Sequence, residues 1–171
     1  MSDADLEITA EDEGEAREWG GGSGRVVAGI IAVLSLAGIG VAGYLAYTHW
    51  FNQSVVCAGF GSCDTVAQSK YAHLAGVPVS VLGLLGYVAL FAVAAFWLRV
   101  GDRFETWPLL AIWGMSIGGA AYSVYLTYLE LFVIDAICIW CVTSAVIMFC
   151  VLIVSTIALF ATAREAEISP G

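Results

Sequence analysis

The sequence predicts an all-α membrane protein, a bundle of four transmembrane helices, and three observations predict it. Of the 171 residues, 60% are hydrophobic and only 12% are charged, a balance outside the range of soluble domains. Four uninterrupted apolar runs, at residues 26–47, 77–98, 107–129 and 136–163, are each long enough to cross a membrane, since about 20 residues at a 1.5 Å rise span a hydrocarbon core of about 30 Å. Outside these runs there is too little chain left to build a separate soluble domain.

The first element is a tail. Residues 1–24 hold eight of the fifteen acids (Asp3, Asp5, Glu7, Glu11, Asp12, Glu13, Glu15, Glu18) and end in Gly20, Gly21, Gly22, Ser23 and Gly24. With no apolar period to bury, they are expected to be disordered, and the net charge of -9 belongs mainly to them. Residues 25–164 form the membrane domain and residues 165–171 a short C-terminal tail. Six scattered Lys and Arg make no basic stripe, which excludes nucleic-acid binding. The first span lacks a basic n-region and is longer than an h-region, so it is expected to remain in the mature chain.

Orientation follows from the basic residues, which are retained on the cytoplasmic side. Arg17 and Arg25 precede span one, Arg99 and Arg103 separate spans two and three, and Arg164 follows span four, against Lys70 alone in the other connections. Both termini are therefore expected to be cytoplasmic, with the connection at residues 48–76 and the turn at residues 130–135 outside. Gly38, Gly40 and Gly43 in span one, and Gly114 with Gly118 in span three, have the small-residue spacing of close helix packing. Trp50, Trp107 and Tyr128 fit an interfacial belt.

The five cysteines carry the chemistry. Cys138-Ile139-Trp140-Cys141 is a C-x-x-C at the start of span four, where free amide groups and the helix dipole stabilise a thiolate. The same motif also serves as half of a zinc site, but its place at the lipid boundary suits a lipid-soluble oxidant such as a quinone. Cys57 and Cys63 form a second pair in the outer connection, with Gly59 and Gly61 between them leaving the backbone free to move. A purely structural disulfide is the competing reading of that pair. Two pairs on one face point to a relay, because a thiolate attacking a disulfide passes electrons through a mixed disulfide. Cys150, about two turns deeper, reads as a packing residue.

Residues 64–76 read as a short amphipathic helix lying over the mouth of the bundle as a lid, with Asp64 as N-cap and Gly76 as stop. Asp135, three residues before Cys138, reads as the N-cap of span four. His49 and His73 fall in the outer connection as interfacial histidines.

On these residues the chain resembles the vitamin K epoxide reductase family, in its prokaryotic, disulfide-forming branch. The loop pair Cys57 and Cys63, Ser69 six residues after Cys63, the run Gly76-Val77-Pro78-Val79-Ser80 leading into span two, and the C-x-x-C opening span four all fall where the family has them. The resemblance covers the four spans and leaves out the acidic tail. It implies a thiol:quinone oxidoreductase in the cell membrane whose active site faces outward. Cys141 would pass electrons to a quinone of the menaquinone or ubiquinone type, Cys138 would exchange with Cys63, and Cys57 would meet the partner. Cys57–Cys63 and Cys63–Cys138 disulfides would alternate. Ser69, Val79, Gly83, Trp140 and Ala145 would surround the quinone, and no metal is expected. Vertebrate members carry an asparagine and a tyrosine at the positions of Val79 and Ala145, which bears against epoxide reduction here. Many bacterial relatives carry a fused thioredoxin-like domain that these 171 residues do not contain, so a soluble or anchored thioredoxin-like partner is expected in trans, besides membrane lipid.

Two readings compete with this one. Cys57, Cys63, Cys138 and Cys141 could clamp one zinc as a structural or sensing site, but an oxidising face is a poor place to keep four thiols reduced. Transport would need an ionisable residue within a span, and the spans as drawn contain none.

Overall fold

The computed structural model describes residues 3–51, 55, 66, 73–74, 77–100 and 106–168, of which 3–23, 73–74, 77 and 165–168 are described as backbone alone. Four long helices dominate: α1 (Asp3–Trp50), α2 (Val79–Val100), α3 (Thr106–Leu129) and α4 (Ile139–Ile168). A π-helical turn at Glu130–Ile134 extends α3. The stretches apolar enough to cross a membrane are Gly24–Trp50, Val79–Val100, Thr106–Ile134 and Ile139–Arg164, four spans as the sequence predicts. The chain is a multi-pass membrane protein.

The helices are apolar all round, as lipid-embedded helices are. Their inward residues, among them Ile31, Tyr87, Leu90, Trp97, Leu109, Ile112 and Val151, form one buried core. Val33, Leu85, Phe96, Ile157 and Phe160 point outward and are exposed, which in a bilayer means contact with acyl chains. Without water to drive helices together, fine packing and polar contacts hold the bundle. Trp113 Nε1 on α3 donates to Thr156 Oγ1 on α4 at 3.1 Å, and Ser116 and Ser155 hydroxyls face each other at 3.4 Å.

The close approaches between helices fall at other glycines than most of those the spacing singles out. A side chain at Gly38 would run into the Tyr87 ring, and one at Gly119 into Met148, whereas Gly40, Gly114 and Gly118 have nothing within 4 Å. Gly38 thus lets α2 approach α1 until the Tyr87 ring takes the space a side chain there would fill.

Two expectations are corrected. The acidic segment expected to be disordered is helical from Asp3. Its Ala, Glu and Leu residues are good helix formers, and growth from a helix that the span has already nucleated avoids the nucleation cost. Likewise α4 runs on to Ile168, into the expected C-terminal tail. The lid helix expected at residues 64–76 is corrected at its end only: Val66 is helical, but His73–Leu74 pair antiparallel with Val77–Pro78, His73 opposite Pro78 and Leu74 opposite Val77. The rest of that stretch, with the expected N-cap Asp64 and stop Gly76, lies outside the described residues. Pro78 is tolerated because an edge strand asks no further donor of it.

Candidate active site at one rim of the bundle

The end of α1, the start of α2, the end of α3 and the start of α4 meet at one rim. Arg25, Arg99 and Arg164 lie at span ends on the opposite rim. The π turn decides how the cysteine rim is built. The Asp135 and Ala136 amides both donate to the Glu130 carbonyl, and Asp135 closes the turn with φ 52°, a left-handed conformation that Asp tolerates better than most residues. Asp135 is thus the C-cap of the π turn and not the N-cap of α4. That position belongs to Cys138, whose carbonyl accepts from the Val142 amide at 3.0 Å in the first bond of the helix.

As an N-cap, Cys138 presents its sulfur to the open amides of the first turn. The Cys141 thiol donates to this sulfur, and the Cys141 and Trp140 amides add to it. The hydrogen bond from Cys141 is the largest cause holding the Cys138 thiol below its ordinary range; burial and the Glu130 carboxylate oppose it. Cys138 therefore carries its thiolate at lower pH than a free cysteine. In the reduced protein, alkylation of Cys138 followed by mass spectrometry should have its midpoint below that of a free thiol. Cys141→Ala removes the leading cause and should move the midpoint to higher pH; an unmoved midpoint would refute the assignment.

Glu130 is the residue that the sequence reading missed. It is 4% exposed, while its neighbours Leu131, Phe132 and Val133 are turned outward. Its Oε2 accepts the Cys138 amide at 3.3 Å, and its carboxylate is hydrogen-bonded to the Cys141 thiol. The third span, drawn to end at residue 129, in fact continues to Ile134 and includes this acid. An acid between Leu129 and Leu131-Phe132-Val133-Ile134, eight residues before a C-x-x-C, was a usable signal, because an ionisable group in an apolar run marks function by default.

Cys138, Cys141 and Glu130 share the wall of a cavity of about 610 Å³ between the helices. Leu45, Val79, Leu82, Gly83, Leu90, Met115, Gly118 and Met148 give it a mainly apolar lining. Its size and character are those of a small-molecule site. Tyr87 forms part of the same wall. Its hydroxyl donates to the Ser144 carbonyl at 2.7 Å and lies 3.1 Å from the Ser144 hydroxyl. Ser144 is one turn beyond Cys141, so Gly38, Tyr87 and Ser144 tie three helices together and fix the rotation of α4 at the cysteines.

Of the residues assigned to the quinone, Val79 and Gly83 line this cavity. Trp140 packs its ring on Tyr44 at 4.7 Å and, like half-buried Ala145, is not among the described residues walling the cavity. Ser69 lies outside the described residues, as do Cys57 and Cys63. Their neighbours in sequence are informative: Val55 and Val66 form a small apolar cluster with Cys138, joined by Tyr44, Leu45, Trp140 and Cys141. Cys57 is two residues from Val55 and Cys63 three from Val66 in sequence. His49 also lines the cavity, whereas the side chain of His73 is not described. Among the described residues no cluster of three His, Cys, Asp or Glu is placed to hold a metal ion.

A thiolate on a helix N-cap, a second thiol within hydrogen-bonding reach and a buried carboxyl at the edge of an apolar cavity can exchange electrons and protons with a lipid-soluble molecule. The family model of the vitamin K epoxide reductase family matches residues 29–156, which take in most of the first and fourth spans, all of the second and third, and both cysteine pairs. The chain belongs to the vitamin K epoxide reductase family, a family of membrane oxidoreductases.

Proposed function

We propose that the protein oxidises protein dithiols outside the cytoplasm and reduces a membrane quinone, generating disulfides for extracytoplasmic folding. The observation that carries this reading is the Cys138–Cys141 pair, lining an apolar cavity and clustered with Val55 and Val66. A thioredoxin-like dithiol acting in trans is oxidised by the loop pair Cys57 and Cys63. Cys63 then exchanges with Cys138, and the electrons reach the quinone at Cys141.

The quinone supplies a two-electron, two-proton acceptor. The chain supplies the rest: Cys138 as a ready thiolate, α4 held in register by Tyr87 and Ser144, and a mainly apolar cavity beside the sulfurs. Plain quinone reduction is favoured over epoxide reduction because Val79 offers the cavity no hydrogen-bonding group. The arginines at the opposite rim support cytoplasmic termini and an outward-facing site.

The test is a quinone-reduction assay on purified, reduced protein with a short-tailed ubiquinone or menaquinone. One quinone should be consumed for each C-x-x-C pair oxidised, and turnover should continue when a thioredoxin-like dithiol is added. Absence of quinone consumption with both a protein dithiol and a small dithiol would sink the proposal.

A further inference from the structure

We propose that Glu130 is a catalytic residue of the sulfur-to-quinone step, taking the proton of the Cys141 thiol and handing it to the reduced ring; the inference rests on the quinone-reducing function proposed above. Glu130 accepts the Cys138 amide at 3.3 Å, and the Cys138 sulfur and the Glu130 carboxylate are the two hydrogen-bond partners of the Cys141 thiol. Glu130 lines the same cavity as both sulfurs, so a proton it holds is delivered where the acceptor binds.

Its surroundings argue against a merely structural acid. A buried carboxylate is costly unless paired, and the arginines whose side chains are described, Arg25, Arg99 and Arg164, all lie at the other rim. Holding the Cys138 amide would need only a neutral acceptor. A carboxyl in that place adds the ability to gain and lose a proton, which is the use such groups find inside membranes.

The reaction balances with one such group. Cys138 enters as thiolate and Cys141 as thiol. One S–H bond breaks, one S–S bond forms, and two O–H bonds form on the quinone, which takes the two electrons the sulfurs give up. One of the two protons is that of Cys141, carried by Glu130; the other comes from water. Glu130 ends as it began, ready for the next cycle.

Glu130→Gln keeps an oxygen for the Cys138 amide and nearly the same volume but cannot carry a proton. Its kcat for quinone reduction by a small dithiol should fall roughly 100-fold, the lower end of what general acid–base catalysis contributes, with KM for the quinone little changed. Glu130→Asp should recover part of the loss. A readout that needs no quinone accompanies these: when a soluble disulfide oxidises the sulfurs and no quinone is present to take the Cys141 proton, the proton stays on Glu130, so the infrared difference spectrum between the dithiol and disulfide forms should show a carboxyl C=O band that Glu130→Gln lacks. Near-normal kcat in Glu130→Gln, or no carboxyl band change in the unaltered protein, overturns the proposal. If Glu130→Gln does not fold, the unaltered protein's band and the Asp variant still decide. Protein that reduces no quinone yet shows the band refutes the quinone reading and leaves the proton role of Glu130 standing.

Discussion

Cys141→Ser is expected to abolish quinone reduction, to about one thousandth of the normal rate or less, the scale of loss when an obligatory nucleophile is removed. The serine keeps the size of the side chain and can still donate to Cys138, so the N-cap geometry of α4 should survive. What disappears is the sulfur that must close the S–S bond as two electrons leave. Cys138 stays a thiolate and, when the reductant is supplied in its oxidised disulfide form, attacks it and expels the other sulfur as a thiolate; lacking its resolving partner, it should remain as the mixed disulfide, visible as an added mass on the Cys138 peptide. Cys138→Ser should be equally inactive and form no such adduct at this site. Full activity in either variant would mean that electrons bypass the C-x-x-C altogether.

The membrane architecture was legible because the signal is long and one-dimensional. Runs of more than 20 apolar residues need no partner to be recognised, and the C-x-x-C at the head of α4 is a local feature of a helix start. Errors gathered where a contact or a turn decides the outcome. The π turn adds a residue after Glu130 at the end of α3 and closes on Asp135 with a left-handed backbone, so that the cap of α4 passes from Asp135 to Cys138. Nothing in the local sequence marks that extra residue.

Long-range geometry was equally hidden. Tyr87 and Ser144 are 57 residues apart, and neither residue type announces a partner. Trp140 lies inside the C-x-x-C and so reads as a neighbour of the quinone, yet a helical residue one position from Cys141 points about 100° away from it, and here that direction leads to Tyr44. Gly118 has the spacing of a packing glycine but lines the cavity, while Gly38 and Gly119 take the close contacts. Spacing identifies a small residue; only the neighbouring helix determines whether its open side is filled.

Loop variants should separate two kinds of reductant. Cys138 is 2% exposed beneath Val55 and Val66, and a cysteine carried on a folded partner cannot bring its sulfur onto a sulfur so covered. On the proposed relay a protein dithiol therefore needs an intermediary, and Cys57 and Cys63 lie between Val55 and Val66 in sequence. Cys57→Ala or Cys63→Ala should reduce turnover with a thioredoxin-like protein by at least about 100-fold, since each removes a sulfur from an exchange that proceeds only sulfur to sulfur. A small membrane-permeant dithiol can reach the C-x-x-C through the apolar cavity and should still drive quinone reduction at a rate close to normal. Rates are to be measured with both reductants on the same preparations, so that a misfolded variant, inactive with each, is told apart from a broken relay. Undiminished turnover with the protein dithiol in both variants would mean that the partner reaches Cys138 directly, and the covering segment would then have to move aside as a unit.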